Sequence, residues 1–288
     1  MKIMVMHVWG AREGTSEEKY MRQWNKILRK NVDLVKADDG TEVFCKVPRG
    51  GLQGLNRSLH CCTYSTLNVF NDAEGLRGVM SAEEEGYDAI IEGCFFDPSL
   101  RAARQAVDIP VIAPGETAMH VAQMMGLKFG LISIGPDVNY ILDENIARYG
   151  LKDRSVRTRP IPASYQQQWD AVFNAGELIE AAKEAGRQLI ADGAEVVIPA
   201  CIIMCNCLRI APGAEKGYPN GLDYIDGVPV MDVVGTATKM AEAMVALRKA
   251  GSPWISRKGY YRLLKGDNKA LEEAREVLPY SGPGFWVD

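Results

Sequence analysis

Short apolar runs alternate with longer amphipathic stretches over most of the chain. Compact apolar runs bounded by turn residues predict buried β-strands, and apolar residues that recur every three or four positions predict α-helices. The strands predicted in this way are 2–8, 88–92, 109–113, 129–134, 196–200 and 228–232. The predicted helices are 16–30, 98–107, 117–125, 176–192 and 236–249, with Ser16 and Asp97 as N-caps of the first two. Such strand–helix alternation is typical of parallel sheets covered by helices on both faces, which is an α/β fold.

Three pairs of segments resemble each other and follow the same order along the chain. The pairs are GYDAIIEGC (86–94) with GAEVVIPAC (193–201), IPVIAPGETAMHVAQMM (109–125) with VPVMDVVGTATKMAEAM (228–244), and KIMVMHVWG from Lys2 with KFGLISIG from Lys128. We therefore expect a duplicated chain made of two α/β units of similar order. The predicted domains are residues 1–114 with 226–288, which carry Cys94, and residues 115–225, which carry Cys201.

Both members of the first pair end in a cysteine, Cys94 and Cys201. Ligands bind beyond the carboxyl ends of the strands in open α/β sheets, so facing units would bring both thiols to one cleft. Removing a proton on one face of a planar substrate and returning it on the other requires one thiolate and one thiol. The loop and capped helix expected after Cys94 favour a thiolate there. The apolar stretch after Cys201 has no obvious cap and favours a neutral thiol.

Composition limits the classes of partner and compartment. The chain has 288 residues, a formal charge of −4 and a pI near 5.6, so we expect a small-molecule partner and no nucleic acid. Seven scattered cysteines form no disulfide framework, which indicates a reducing compartment. The N-terminal sequence lacks the pattern of a signal peptide, and the apolar runs are too short to span a bilayer. We therefore expect a cytoplasmic protein without membrane contact.

Two stretches resemble a known family. CFFDPSLRAARQ (94–105) and VIAPGETAMHVAQMMGLKF (111–129) are similar to the aspartate/glutamate/hydantoin racemase superfamily, and closest to its hydantoin and allantoin racemase branch. The resemblance implies two pseudosymmetric, flavodoxin-like α/β domains with the active site in the cleft between them, and neither a cofactor nor a metal. It implies that Cys94 and Cys201 act as an acid–base pair in an isomerase, most plausibly on a hydantoin-like ring, because its α-hydrogen lies beside a carbonyl that can become an enolate.

The resemblance also implies which residues bind the substrate. In the family, backbone amides and hydroxyl groups hold the substrate carbonyls, and the matching positions are Phe95, Glu116, Thr117, Ser133 and Ile202. Where the branch carries Asn-Pro-Asn after the first strand, this chain has HVWGA, which puts His7, Trp9 and Gly10 at the cleft. We further expect a homo-oligomer.

Two alternatives stay open at this point. One is a decarboxylase or cis–trans isomerase of the same superfamily that acts on a small carboxylate, with Ile202 and Ile203 forming an apolar pocket. The other is a non-catalytic ligand-binding protein whose thiols belong to the core.

The remaining features receive structural interpretations. Cys61 and Cys62 are expected inside a helix, His120 is expected to be structural, and RGGLQGLNRS (49–58) is expected to form a loop over the cleft. Cys205 and Cys207 have no second Cys/His cluster, so no metal site is assigned to them. The segment 251–288 carries aromatic residues that need burial against the core or a neighbouring subunit: Trp254, Tyr260, Tyr261, Phe285 and Trp286.

Overall fold

The computed structural model describes residues 1–7, 9–10, 14–15, 17–37, 40–47, 52–53, 62–264, 267, 269–270 and 273. Its helices are α1 (Glu18–Val35), α2 (Ser65–Glu84), α3 (Leu100–Ala106), α4 (Pro114–Met125), α5 (Asn139–Arg148), α6 (Tyr165–Asp170), α7 (Gly176–Ala191), α8 (Ile202–Ile210) and α9 (Val233–Lys249). Its strands are β1 (Lys2–His7), β2 (Trp9–Gly10), β3 (Glu42–Lys46), β4 (Leu52–Gln53), β5 (Ala89–Gly93), β6 (Val111–Ile112), β7 (Phe129–Ser133), β8 (Arg159–Pro160), β9 (Val196–Pro199), β10 (Tyr224–Ile225) and β11 (Val228–Pro229). Ser16, Cys61, Phe285, Trp286 and most of the 49–58 loop lie outside the described residues.

Seven of the strands form two parallel sheets, which confirms the predicted α/β class, while β2 pairs with β4 and β10 pairs antiparallel with β11. The first sheet has the order β3-β1-β5-β6, and the second has the order β8-β7-β9. A parallel bridge between Val197 and Val230 adds the chain after β11 to the β9 edge of the second sheet. No helix of the described part of the chain is long and apolar enough to cross a membrane.

The two sheets have equivalent topology. The strand that opens each half lies in the middle, since β1 pairs with β3 and β5, and β7 pairs with β8 and β9. The strand that ends in Cys94 is β5, the strand that ends at Cys201 is β9, and β6 corresponds to the bridge at Val230. The three sequence pairs therefore occupy matching positions in the two sheets, as a duplicated chain requires.

Two long helices cross between the halves. Helix α4 follows β6 of the first sheet and contacts β5 there, but it also packs against β7 and β9 of the second. Helix α9 follows the Val230 bridge of the second sheet but packs against β5 and β6 of the first, and α4 and α9 pack against each other. Each half thus covers part of the other. The domain boundaries at 114/115 and 225/226 stay a prediction.

The interior strands are buried on both faces. In β1, Ile3 and Val5 belong to a core cluster that also contains residues of the second sheet, whereas Met4 and Met6 face a separate cluster with α2 and α3. Successive side chains of a strand point to opposite faces, so a strand buried on both sides is an uninterrupted apolar run. This explains why the apolar pattern predicts β1, β5, β7 and β9 to within about two residues.

Helices α4 and α9 begin at Pro114 and Val233, three residues before their predicted starts, and two further expectations near the cavity are wrong. Helix α3 begins at Leu100 rather than at Pro98, because Asp97 and Ser99 have left-handed backbone angles with φ of 51° and 54°. Helix α2 begins at Ser65, so Cys62 lies in the turn before the helix and not in its interior.

Helix α4 begins in close contact with the turn that follows Cys94. A Cβ atom on Gly115 would overlap the carbonyl oxygen of Phe95 and would lie 2.6 Å from Oδ2 of Asp97. A backbone oxygen cannot move aside as a flexible side chain can. Glycine is therefore required here by the approach of two backbones.

We predict that Gly115→Ala lowers the free energy of unfolding by about 2–4 kcal/mol, because the methyl group must separate α4 from the Cys94 turn. Gly75→Ala is the matched control: it lies inside α2, and a Cβ there would meet nothing within 4 Å. We expect that control to gain about 0.5–1 kcal/mol from the lower backbone entropy of the unfolded chain. Urea unfolding followed by circular dichroism measures both. Equal effects of the two substitutions would contradict the close approach.

Candidate functional site

One cavity of about 360 Å³ opens between the two halves. Its walls are the N-terminal part of α2, the turn after β5, helix α5 and the first turn of α8. Cys94 and Cys201 both line it, and each is half-buried. The two thiols that the repeat singles out therefore face one space, beyond the carboxyl ends of equivalent strands.

Cys94 lies in surroundings that disfavour its thiolate. Burial raises the pKa of the Cys94 thiol well above its ordinary value, and the backbone N–H of Phe96 acts in the opposite direction. Negative charge on Cys201, Cys62 or Asp97 raises the pKa of Cys94 further. The electrostatic coupling to Cys201 reflects the position of both sulfurs on the same cavity.

Cys201 is the N-cap of α8, which reverses the expected asymmetry between the two thiols. Burial raises the pKa of Cys201 too, but the backbone N–H groups of Met204 and Ile203 oppose that rise. The N–H groups at a helix N-terminus stabilise an anion. The expectation that Cys94 has the helix terminus and Cys201 has no cap is wrong, because α8 starts directly at Cys201, whereas α3 starts only at Leu100.

Three carboxyl groups lie near Cys94, and we refer to Asp72, Glu92 and Asp97 as the carboxyl cluster. Asp72 lines the cavity, and burial raises the pKa of its carboxyl to about 6. Glu92 is 4% exposed, and its Oε2 has no hydrogen-bond partner among the described residues. Burial, followed by the charge of Asp97, raises the pKa of Glu92 well above its ordinary value, while Arg104 lowers it.

Asp97 connects the Cys94 turn to α4 and α5. Its Oδ1 accepts a hydrogen bond from the N–H of Gly115 (2.8 Å), and its Oδ2 accepts from the N–H of Glu116 (2.6 Å) and the hydroxyl of Tyr149 (2.7 Å). Burial raises the pKa of Asp97 to about 7 against these three donors. Asp97 therefore caps α4, not the helix that follows it in sequence. Asn145 of α5 supports the same turn by donating to the carbonyl of Phe96 at 2.8 Å.

The substrate-binding positions implied by the resemblance divide into two groups. Phe95 and Ile202, which directly follow the two cysteines, line the cavity. His7 does not: it is fully buried at the end of β1, with its ring 5.8 Å from that of Trp24. Burial lowers the pKa of His7 to about 4, against a hydrogen bond with Asn25, so its imidazole is neutral at pH 7. Trp9 and Gly10 form β2 beside β4, and the side chain of Trp9 lies outside the described part.

The other three positions serve the framework around the cavity. Glu116 forms an ion pair with Arg104 at 2.5 Å. Thr117 is buried in the first turn of α4, where its N–H donates to the carbonyl of Ala113. Ser133 is buried and donates to the carbonyl of Gly135, while its neighbour Ile134 lines the cavity. Glu116, Thr117 and Ser133 are not among the residues that line this cavity.

The cavity also has wall residues to which the sequence assigned no role in the site. Cys62, Asn71 and Asp72 come from the turn before α2 and from α2 itself, and Tyr140 and Arg148 come from α5. No sequence motif marks them, because neither helix was predicted. Among the described residues, no group of three or more His, Cys, Asp or Glu side chains could hold a metal ion.

The carboxyl cluster generates a pH-dependent prediction about stability. The folded state keeps the Glu92 proton in a pH range where the unfolded chain, with an ordinary carboxyl pKa, has lost it. The buried carboxyl therefore destabilises the wild type increasingly as the pH rises above about 4.5. The free energy of unfolding of Glu92→Gln minus that of the wild type should therefore increase by about 1–3 kcal/mol when the pH is raised from about 5 to about 7.5. Urea unfolding at both pH values measures this change.

The matched control for that experiment is Glu84→Gln, whose carboxyl is exposed on α2. Its difference from the wild type should be the same at both pH values. A Glu92→Gln difference that is also independent of pH would mean that Glu92 ionises normally in the folded protein.

Comparison with known proteins places this geometry in a family. Residues 67–241 match the family model described as Asp/Glu/Hydantoin racemase. The hydantoin racemase of Pseudomonas sp. (strain NS671) is 30% identical over 175 residues, which are 60% of this chain and 65% of that protein. The hydantoin racemase of Paenarthrobacter aurescens is 31% identical over 164 residues, 56% of this chain and 62% of that protein. The chain thus spans somewhat less than two thirds of the length of these relatives.

A solved structure extends the likeness over most of the chain. Allantoin racemase from Klebsiella pneumoniae superimposes with a TM-score of 0.71 at 24% identity, over 91% of this chain and 93% of that one. At this identity the superposition shows a shared fold. Together with the family model, which matches more than half of the chain, it leads to one conclusion: the chain belongs to the Asp/Glu/hydantoin racemase family.

Proposed function

We propose that the protein is a cofactor-independent racemase or epimerase that acts at a carbon next to a carbonyl group. The observation that carries the proposal is the pair of half-buried thiols, Cys94 and Cys201, on one cavity. They follow equivalent strands of two sheets, so a planar substrate between the halves has one sulfur near each face. This arrangement suits proton removal on one side and proton delivery on the other.

The proton transfer begins with one thiol ionised and one neutral. The Cys201 thiolate takes the α-hydrogen as a proton, and the electrons of the broken C–H bond form the enolate with the neighbouring carbonyl. The Cys94 thiol gives its proton to the opposite face of the same carbon and becomes the thiolate. The reverse reaction starts with Cys94 as the thiolate and Cys201 as the neutral thiol. The two cysteines together hold one proton before and after the reaction in either direction.

The surroundings of the two sulfurs support this assignment of roles. The N–H groups of Ile203 and Met204 favour a thiolate at Cys201, whereas Asp97 disfavours one at Cys94. Cys201 is therefore the base in the direction that starts from the resting enzyme. Because the pKa of both thiols is raised, the active singly ionised pair becomes more populated as the pH increases above neutrality.

The enolate oxygen needs a hydrogen-bond donor. Ile202 occupies the first position of α8, where the backbone N–H has no acceptor within the helix. The N–H groups of Ile203 and Met204 are directed at the Cys201 sulfur. We therefore assign the N–H of Ile202 to the substrate carbonyl. Phe95 has the corresponding position after Cys94 in the first half.

A hydantoin-like ring is the substrate that we propose. The two curated relatives are named hydantoin racemases, and the ring places an acidic C–H beside a carbonyl. Its amide groups match the polar wall of Asn71, Asp72 and Tyr140, and its substituent matches the apolar wall that includes Ile134 and Ile141. The homo-oligomeric state and the cytoplasmic location stay predictions.

A decarboxylase is the second candidate. Ile202 and Ile203 both belong to the cavity wall, and an apolar surface destabilises a carboxylate that is about to leave as carbon dioxide. Protonation of the resulting enolate would then need only one of the two thiols. The same variants distinguish the candidates when they are assayed with a hydantoin and with an arylmalonate.

Cys94→Ser and Cys201→Ser are each expected to lower kcat for interconversion of the enantiomers of a 5-substituted hydantoin by about a thousandfold or more. The thiol that remains in each variant reaches only one face of the α-carbon and cannot transfer a proton on the other face. Polarimetry on purified enzyme measures the loss. Iodoacetamide should alkylate the Cys201 that remains in Cys94→Ser faster at neutral pH than the Cys94 that remains in Cys201→Ser.

The control variant is Cys45→Ser, which changes a half-buried thiol in β3 that does not line the cavity. It should keep the activity of the wild type. Normal racemisation by either single cavity variant would rule out the two-thiol mechanism. Release of carbon dioxide from the malonate without racemisation of the hydantoin would favour the decarboxylase.

A further inference from the structure

A second pocket lies on the far side of the Cys94 turn. It has a volume of about 250 Å³ and is formed by α3, the exposed side of α4, the end of α5 and the segment after α9. We call it the arginine pocket, and its lining residues are Leu100, Arg101, Glu116, His120, Arg148, Tyr149 and Tyr261. Glu116, which the resemblance assigns to the substrate, lies here instead, and Arg148 lines both this pocket and the cavity of Cys94 and Cys201.

The charge of the arginine pocket is positive although the whole chain carries a formal charge of −4. Glu116 is the only acidic residue of its lining, and its carboxylate is already bound by Arg104. The guanidinium groups of Arg101 and Arg148 form no ion pair with any residue that the structure describes. Two cations without a counter-charge, beside an imidazole that can donate a hydrogen bond, thus surround one concave space.

The segment after α9 builds one wall of this pocket, which gives the C-terminal part of the chain a local role. Arg257 donates to the carbonyls of Arg104 (2.7 Å), Val107 (3.0 Å) and Tyr261 (3.1 Å) and pairs with Asp108, which fastens the segment to α3. The ring of Tyr260 then lies 5.2 Å from the guanidinium carbon of Arg101. This stacking holds Arg101 beside the pocket.

We propose that the arginine pocket is a binding site for a small anion that carries two negative charges, either a phosphate group or a dicarboxylate. The planar guanidinium groups of Arg101 and Arg148 match the paired oxygens of either anion, and His120 supplies a further donor. The space is large enough for a small organic dianion as well as for inorganic phosphate. This site differs from the cavity that holds the two thiols and does not depend on the reaction proposed there.

The arginine pocket is connected to the thiol cavity by two contacts. Arg148 lines both spaces. Tyr149, whose ring forms part of the pocket, donates its hydroxyl to Asp97 in the turn that carries Cys94. An anion bound to Arg148 and next to Tyr149 would therefore lie within two contacts of the Cys94 turn.

Isothermal titration calorimetry with inorganic phosphate and, separately, with succinate tests the binding itself. We expect saturable binding of one of them at one site per chain, weakened by added salt because the arginines are exposed. Arg101→Gln and His120→Gln should each weaken that binding by about tenfold, since each removes a charge-assisted or directed hydrogen bond. Which of the two probes binds distinguishes a phosphate site from a dicarboxylate site.

Arg157→Gln is the matched control, because Arg157 is also exposed but does not line the arginine pocket. It should bind the anion as the wild type does. Absence of saturable binding of both probes, or equal weakening by Arg101→Gln and Arg157→Gln, would overturn the proposal. Calorimetry needs no catalytic turnover, so this result is independent of whether the racemase assignment holds.

Discussion

Hydrogen bonds join the chain that follows each cavity thiol to the first turn of a helix that crosses to the other sheet. Asp97 accepts from Gly115 and Glu116 at the start of α4. In the second half, Sγ of Cys205 accepts from the N–H of Val233 at the start of α9, at 3.2 Å. Helix N-termini leave such N–H groups without acceptors. Asp97 accepts from them in the first half, whereas in the second half Cys205 in the first turn of α8 accepts from one, and Asp232, the N-cap of α9, accepts from Gly235. Because α4 and α9 also pack against each other, the two turns are held facing one cavity.

The two halves share this plan but differ in charge, and the roles that we propose for the two thiols rest on this difference. In the first half a carboxylate, Asp97, fills the anchoring position and adds negative potential near Cys94. In the second half a neutral thiol, Cys205, fills it, and burial keeps its pKa well above the ordinary value. The thiol of Cys201 is instead supported by the N-terminus of α8. The two halves thus place equivalent sulfurs in different electrostatic surroundings, with N–H donors at Cys201 and negative potential at Cys94.

The sequence predicted the strands that carry the chemistry because their burial on both faces leaves continuous apolar runs. It did not predict α2 or α5, which supply much of the cavity wall. Leu67 and Phe70 of α2 are 37% and 69% exposed, and Val69, which is 66% exposed, lines the cavity, so apolar residues away from the core hide the helical period. The local reading also failed at Asp97, where Asp-Pro indicates a cap for the next helix, but contacts with the more distant Gly115 determine the structure.

The sequence did not predict which of the two thiols has the surroundings that favour a thiolate. Helix starts are read from Ser, Thr, Asp or Asn at the N-cap, and α8 has a cysteine there. An apolar run that includes Pro199 and Ile202 gives no sign of where β9 ends and α8 begins. The position of both cysteines on one cavity was predictable, because the repeat sets each of them at the same place after equivalent strands. Their relative acidity depends on neighbours far apart in the chain.

The position of the two sulfurs on opposite faces of one carbon is tested most directly by isotope transfer in deuterated water. The reaction starts from one enantiomer of a 5-substituted hydantoin near neutral pH. Early samples are separated on a chiral column, and the mass of each enantiomer is measured by mass spectrometry. With two thiols, the incoming hydrogen comes from a group that has exchanged with solvent. The product enantiomer should therefore carry deuterium, while the remaining substrate keeps its protium. Product that retains the substrate's own protium would show that a single group moves the proton, and would contradict the account.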